Sequence, residues 1–179
     1  GSEMCIRDSK LLLPAMEFSY ITHCFSTAPR WVLYERALPT IEETLEHAQS
    51  VDDLCLAHFL RGVVLRNMAF PEKVNKLDPP QCPIPVEEAA RKAEQSLRLV
   101  ADRGHEIVYD HYLLYFSHYE LGRLYINMKR IPEARKELDL VLSGKNLGDH
   151  GRKGKYSMQN MAVLRSNGAM ELLQKPHEL

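Results

Sequence analysis

The side chains able to do chemistry are numerous and scattered. Eight histidines occur, at His23, His47, His58, His105, His111, His118, His150 and His177. His111 and His118 stand seven apart, two helical turns, and so share roughly one face of a helix. A helical zinc site needs a second ligand at i, i+4 and a further His, Asp or Glu to complete the set. No such set is legible here, and the histidines read as core or surface residues. Cys5, Cys24, Cys55 and Cys82 form no CxxC pair and no metal-ligand spacing, which fits reduced thiols of a cytosolic protein. Serine, cysteine and histidine do not assemble into a nucleophile motif. Gly144, Gly148, Gly151 and Gly154 resemble a phosphate-cradling loop only superficially, because they follow a predicted helix rather than a strand and no GKS or GKT occurs. The pattern calls for no catalytic residue, no metal and no cofactor, and so for a protein that is not an enzyme.

Lys145, Arg152, Lys153 and Lys155 form the one local basic cluster, with Asp149 subtracting from it. It could touch anionic lipid headgroups or an acidic peptide. At about 1 kcal/mol per basic residue near an anionic surface, such attachment would be weak, and a solvated loop is the better reading. The whole chain of 179 residues carries a formal net charge of −1. Bulk charge therefore favours neither nucleic acid nor an anionic membrane as partner. A hydrophobic content of 45% suits a globular protein, and no apolar run reaches the roughly 18 residues of a spanning helix.

The elements that would position these residues are helical throughout. Residues 1–8, GSEMCIRD, back-translate to a sequence similar to a transposase adapter of sequencing libraries. They, and Ser9 with them, are set aside from the fold. The expectation is then a fragment, with an upstream part missing, whose residues 10–179 form a single α-helical repeat domain. A first helix is predicted over 11–26, with Pro14 in its first turn. A second is predicted over 30–49, kinked at Pro39. A third runs to Ala69, capped by Asp52 or Asp53. A fourth spans 86–101. A long aromatic fifth helix spans 107–128 and carries Tyr109, Tyr112, Tyr115, Phe116, Tyr119 and Tyr125. A sixth spans 131–142. A last one, capped by Ser157, reaches Gln174 with Met161, Leu164, Met170 and Leu173 inward, and its Gly168 either admits a close neighbour or weakens the helix. Five prolines in the 16 residues 70–85 exclude a helix there. That insertion reads as a tolerated surface loop rather than a docking segment. The glycine-rich stretch 143–155 reads as a second loop.

Within 115–142 the spacing is more specific. Leu121, Gly122 and Tyr125 are followed by Ala134 nine residues after the tyrosine, and then by Leu138, Val141 and Leu142. This is similar to one tetratricopeptide repeat. Gly122 and Ala134 are the small positions where two helix backbones approach. The proline that usually closes the repeat is replaced by Asn146. An earlier copy is legible with Gly62 in the role of Gly122. Its second half, starting at Ala89, is displaced: 27 residues separate Gly62 from Ala89, against 12 from Gly122 to Ala134. The predicted architecture is about seven helices in antiparallel hairpins, stacked into a short right-handed solenoid because no hairpin buries its own apolar face.

Three stretches carry a wider resemblance: DDLCLAHFLRGVVLR (52–66), HYLLYFSHYELGRLYINMKRIPEARKELDLVL (111–142) and KYSMQNMAVLRSNGAMELL (155–173). Together they resemble the C-terminal part of the tetratricopeptide-repeat-39 family, whose fungal members are called inclusion body clearance proteins. The resemblance implies an intracellular, all-helical adaptor without enzymatic activity, cytoplasmic with the nucleus as a second compartment. It further implies a role in clearing aggregated protein, with links to lipid droplets. The leading expectation is a scaffold whose protein partner docks in a groove lined by Tyr112, Tyr115 and Tyr119. The alternative is lipid or sterol binding between the helices around those same tyrosines. A third reading, a hydrolase whose site lies partly in the missing upstream region, has little in the sequence behind it and requires convergent buried His and carboxylate side chains.

Overall fold

The computed structural model describes residues 14–73, 76, 78, 83–145, 147 and 158–174. Leu11, Cys5, Cys82, His150, His177, Ser157, Arg152, Lys153 and Lys155, all of which entered the sequence reading, lie outside the described residues. Those described are all-helical, with no strand among them. The chain divides into two compact units, 1–93 and 94–179.

In the first unit, residues 14–21 are helical, and a turn at Thr22 and His23 separates them from a short helix, Cys24–Thr27. The single helix predicted over 11–26 is therefore broken, and His23 takes a left-handed φ of 60°. Hydroxyls explain the break. Ser19 and Thr22 donate to the carbonyls of Ala15 and Phe18, and Ser26 and Thr27 donate to that of His23. Such side chains compete with the amides that would extend the helix.

Next, Arg30–Val32, a π-helical turn Leu33–Ala37 and Leu38–Glu46 run on as one helix, α1. The Leu38 amide reaches back five residues to the Leu33 carbonyl. The distortion falls just before Pro39, which has no N–H to offer the preceding turn and whose ring needs room against it. The helix α2, Val51–Ala69, packs on α1. Its cap is Ser50, not Asp52 or Asp53: Ser50 Oγ accepts the Asp53 amide at 3.1 Å. The two aspartates stand in the first turn, where the helix dipole favours them. From Cys55 onward every residue of α2 is buried except His58 and Arg61. Arg61 Nε meets Glu42 Oε1 of α1 at 2.7 Å, and Phe59 meets Tyr20 edge-on at 4.8 Å. Gly62 and Ala89 are both buried. The described part of 70–85 holds no helix, and Asp78 accepts the Arg30 amide.

A helix α3, Val86–Arg103, crosses the division between the units and ends in a 3₁₀ turn, Gly104–Glu106. The second unit then holds α4 (Tyr112–Asn127), α5 (Ile131–Leu142) and α6 (Gln159–Gln174). α4 starts five residues later than the sequence predicts. Ile107 is extended (ψ 130°) and buried, and residues 107–110 belong to no helix. Gly104 makes this possible, because a Cβ there would fall 2.4 Å from Leu114 Cδ1.

α4 ends in a Schellman closure. Arg130 N–H bonds to the Tyr125 carbonyl at 2.8 Å and Lys129 N–H to that of Ile126 at 3.1 Å, with Lys129 itself left-handed at φ 60°. Pro132 then sits in the first turn of α5, where a missing N–H is harmless. The hairpin closes on Gly122: a Cβ there would meet Leu138 Cδ2 at 2.7 Å, Leu138 Cγ at 2.8 Å and the Ala134 carbonyl oxygen at 3.5 Å.

α6 packs against both α4 and α5. Its inward face is Ala162, Ser166, Ala169 and Leu173. The predicted inward set is corrected: Leu164 is 74% exposed, and Met161 and Met170 are half-buried. Small residues at i, i+4 and i+7 bring α6 close, and the large ones are turned aside. Nothing lies within 4 Å of a Cβ placed at Gly168, which therefore admits no close neighbour.

Candidate functional site

Within the second unit, the part of α3 from Glu94 onward meets α4 and α5 through charged and hydroxyl groups rather than through apolar side chains alone. Glu137 of α5 lies on that helix's buried stripe, next to Leu138 and one turn from Ala134 and Val141. Its carboxylate is 5% exposed as a residue and takes two partners. Oε2 lies 2.6 Å from His118 Nδ1 of α4, and Oε1 accepts Arg98 Nη2 of α3 at 2.7 Å. His118 is itself buried, at 8%. The same Arg98 Nη2 donates to Tyr125 Oη at 2.9 Å, and Tyr125 Oη donates to Glu94 Oε1 at 2.7 Å. Arg130 closes the chain. It reaches Glu94 at 3.2 Å, pairs with Glu133 and lies 4.4 Å above the Tyr125 ring.

The electrostatics follow from this crowding. Burial pushes the Glu137 carboxyl up, but the hydrogen bonds and charges of His118 and Arg98 together outweigh it, so the group sits below the ordinary carboxylate range. Burial disfavours charge on Arg98, yet Glu137 and Tyr125 hold its guanidinium protonated well beyond the usual value. Burial likewise pushes the Tyr125 phenol up, with Arg98 opposing.

His118 and Glu137 are convergent and buried, the arrangement that the hydrolase reading requires. A His–carboxylate pair serves catalysis when the imidazole's other nitrogen faces a nucleophile that a substrate can reach. Here the carboxylate is shared with Arg98, and both partners are under a tenth exposed. Ser117, the neighbouring hydroxyl, points about 100° away around the helix. What the geometry does is tie α3, α4 and α5 at one locus.

The tyrosines of the predicted groove occupy a different environment. Tyr112, Tyr115 and Tyr119 are all buried. Phe116 takes Tyr112 and Tyr119 edge-on at 6.2 and 6.4 Å. Tyr115 Oη accepts the Leu147 amide at 3.1 Å and donates to the Lys145 carbonyl at 3.4 Å, while Tyr119 Oη accepts from Arg123 at 2.9 Å. The rings form a packed aromatic layer, with their hydroxyls pinning the chain after α5 and the α4 surface. Leu121, Tyr125, Ala134 and Leu138 are buried in the hairpin seam with Gly122. Tyr109 is 84% exposed and lies outside α4. Of the basic cluster, Lys145 is described. It borders a shallow depression of about 460 Å³ along the outward side of α5, lined also by Pro132, Arg135, Lys136, Asp139, Leu140 and Ser143.

The Glu137 locus is absent from the sequence reading. Its signal was a carboxylate and a histidine placed on stripes otherwise apolar: Glu137 between Ala134 and Val141, and His118 between Leu114 and Leu121. Among the described residues no group of three His, Cys, Asp or Glu is placed to hold a metal ion, and no helix is long and apolar enough to cross a membrane. No protein-family model matches the chain, and no solved structure matches it.

Proposed function

We propose that this chain is a non-enzymatic interaction scaffold of the tetratricopeptide type, its hairpins stacked as a short right-handed solenoid. The carrying observation is the α4–α5 hairpin closed on Gly122 against Leu138 and the Ala134 carbonyl, the close backbone approach that such a repeat is built on. The strongest polar groups of the second unit support this reading, because they are spent on fixing helices to one another. A frame held in this way presents a stable outer surface at little ordering cost to a partner. The outward side of α5, with Arg135, Lys136 and Leu140 around its depression, is the surface we assign to a protein partner. Of the tyrosines expected to line the groove, Tyr115 reaches the end of this surface, donating to the Lys145 carbonyl at 3.4 Å.

The resemblance to inclusion body clearance proteins extends the proposal to clearance of aggregated protein, in the cytoplasm and nucleus, with association to lipid droplets through a protein on the droplet surface. A photocrosslinking residue at Asp139, on the same depression, in the full chain exposed to isolated lipid droplets, tests it. A specific polypeptide adduct is expected, abolished by Arg135→Glu with Lys136→Glu and by protease treatment of the droplets. Droplet binding that survives protease treatment and both charge reversals would replace it with direct lipid or sterol binding.

A further inference from the structure

We infer that Tyr109 is a phosphorylation site for a protein-tyrosine kinase. The inference is independent of the scaffold reading. A kinase cleft must surround the acceptor ring and read the residues beside it in extended form, so the acceptor must be displayed and its backbone released from helical hydrogen bonding. Among the described tyrosines, Tyr109 alone meets both conditions. Its side chain is 84% exposed. Tyr20, Tyr112, Tyr115, Tyr119 and Tyr125 are buried, and Tyr34 is half-buried.

Residues 107–110 belong to no helix, and Ile107 enters the segment extended, at φ −68° and ψ 130°. Ile107 is buried on one side of the segment and Tyr112 on the other, so the loop is tethered at both ends with its tip outward. The flanking chemistry is directional. Glu106 stands at −3 and Asp110 at +1, and Val108 at −1 is itself 62% exposed. The acidic flanks, with Glu106 paired to the neighbouring Arg103 at 2.8 Å on the exposed surface, suit a cleft with basic substrate contacts, and the exposed aliphatic neighbour gives the cleft an apolar contact beside the ring.

In the reaction, Tyr109 Oη attacks the γ-phosphorus of Mg-ATP. The new O–P bond forms as the bond to the β-phosphate oxygen breaks, ADP leaves, and the phenolic proton passes to the kinase's catalytic aspartate. The product places about −2 charge two residues ahead of the α4 N-cap, His111, at the helix pole that favours anions.

The test uses the full chain, Mg-ATP and purified tyrosine-kinase domains of acidophilic preference, with the products mapped by mass spectrometry of tryptic peptides. One phosphoryl group per chain is expected, on Tyr109. It is lost in Tyr109→Phe, whose circular dichroism stays unchanged because the ring is exposed, and kcat/KM falls about fivefold in Asp110→Asn. A free peptide of residues 104–114 serves as reference. Modification of the peptide but not the chain would show that the fold withholds the hydroxyl, and modification of neither would show that the flanking residues are not read; each overturns the inference. So would labelling of Tyr112, Tyr115 and Tyr119 at the rate of Tyr109, since that requires an unfolded substrate.

Discussion

Two residues decide how the second unit holds together, for opposite reasons. Gly122 matters for what it lacks. A methyl group there would lie 2.7 and 2.8 Å from two carbons of Leu138, which is wholly buried and has nowhere to retreat. Gly122→Ala gains helix propensity but forces α5 outward, and a net loss of about 1–3 kcal/mol is expected in urea unfolding. A stabilised Gly122→Ala variant would mean that the seam is loose.

Glu137 matters for its charge. Its pKa is depressed in the fold, so its contribution is present above the unfolded value, about 4.3, and is lost as pH falls through the lower folded value. Glu137→Gln keeps the shape and removes the charge. At pH 7 it should destabilise by about 1–3 kcal/mol, the lower range because Arg98 is partly exposed and solvent can take over its charge. Below the unfolded value, about 4.3, the gap between the two proteins should narrow, and it closes as the wild-type carboxyl protonates through its lower folded value. A gap in unfolding midpoint that stays constant from pH 7 to 3 would assign Glu137 a packing role only.

At the scale of elements, the ends of helices were less legible than their existence. α5 begins and stops where the spacing places it, because Pro132 in its first turn and the stripe Ala134, Leu138, Val141 define it locally. α4 does not. Its predicted start ignored that Ile107 could be buried from an extended segment, a tertiary choice that periodicity does not encode. The inward face of α6 was misjudged by weighting size over spacing. Leu164 and Met170 outweigh Ala162 and Ala169 on any hydrophobicity scale, yet close packing selects the small ones. Lys129 offers the element-scale prediction. It closes α4 in a left-handed conformation that strains any residue with a Cβ. Lys129→Gly should relieve this and raise stability by about 0.5–1 kcal/mol, read as an upward shift in Tm. A decrease would show that the lysine side chain contributes more than its backbone strain removes.

At the scale of the whole molecule, each unit has one helix that is buried almost all round: α2 from Cys55 to Ala69, and α4, where only Arg123 and Asn127 escape burial. Repeat-like spacing marks Gly62 and Gly122 as positions of close approach on these two helices, and both are buried; that the helices are covered on nearly every side was not legible from it. The polar ties were harder to foresee, because Arg98 and Glu137 are 39 residues apart and their pairing exists only once three helices assemble. Burial of this kind predicts where the molecule opens last. Amides of a fully covered helix exchange through large-scale unfolding, whereas those of a helix with one wet face exchange through smaller openings. Native-state hydrogen exchange should therefore show two separate maxima of protection, in α2 and α4. The stretch 14–21, broken off at His23, and α6, with Leu164 and Gly168 facing water, should exchange faster by about 1–3 kcal/mol of opening free energy. A single maximum, or α6 as protected as α4, would mean that the covering of α4 is not what sets the order of opening, and that the last helix contributes to the core beyond its row of small residues.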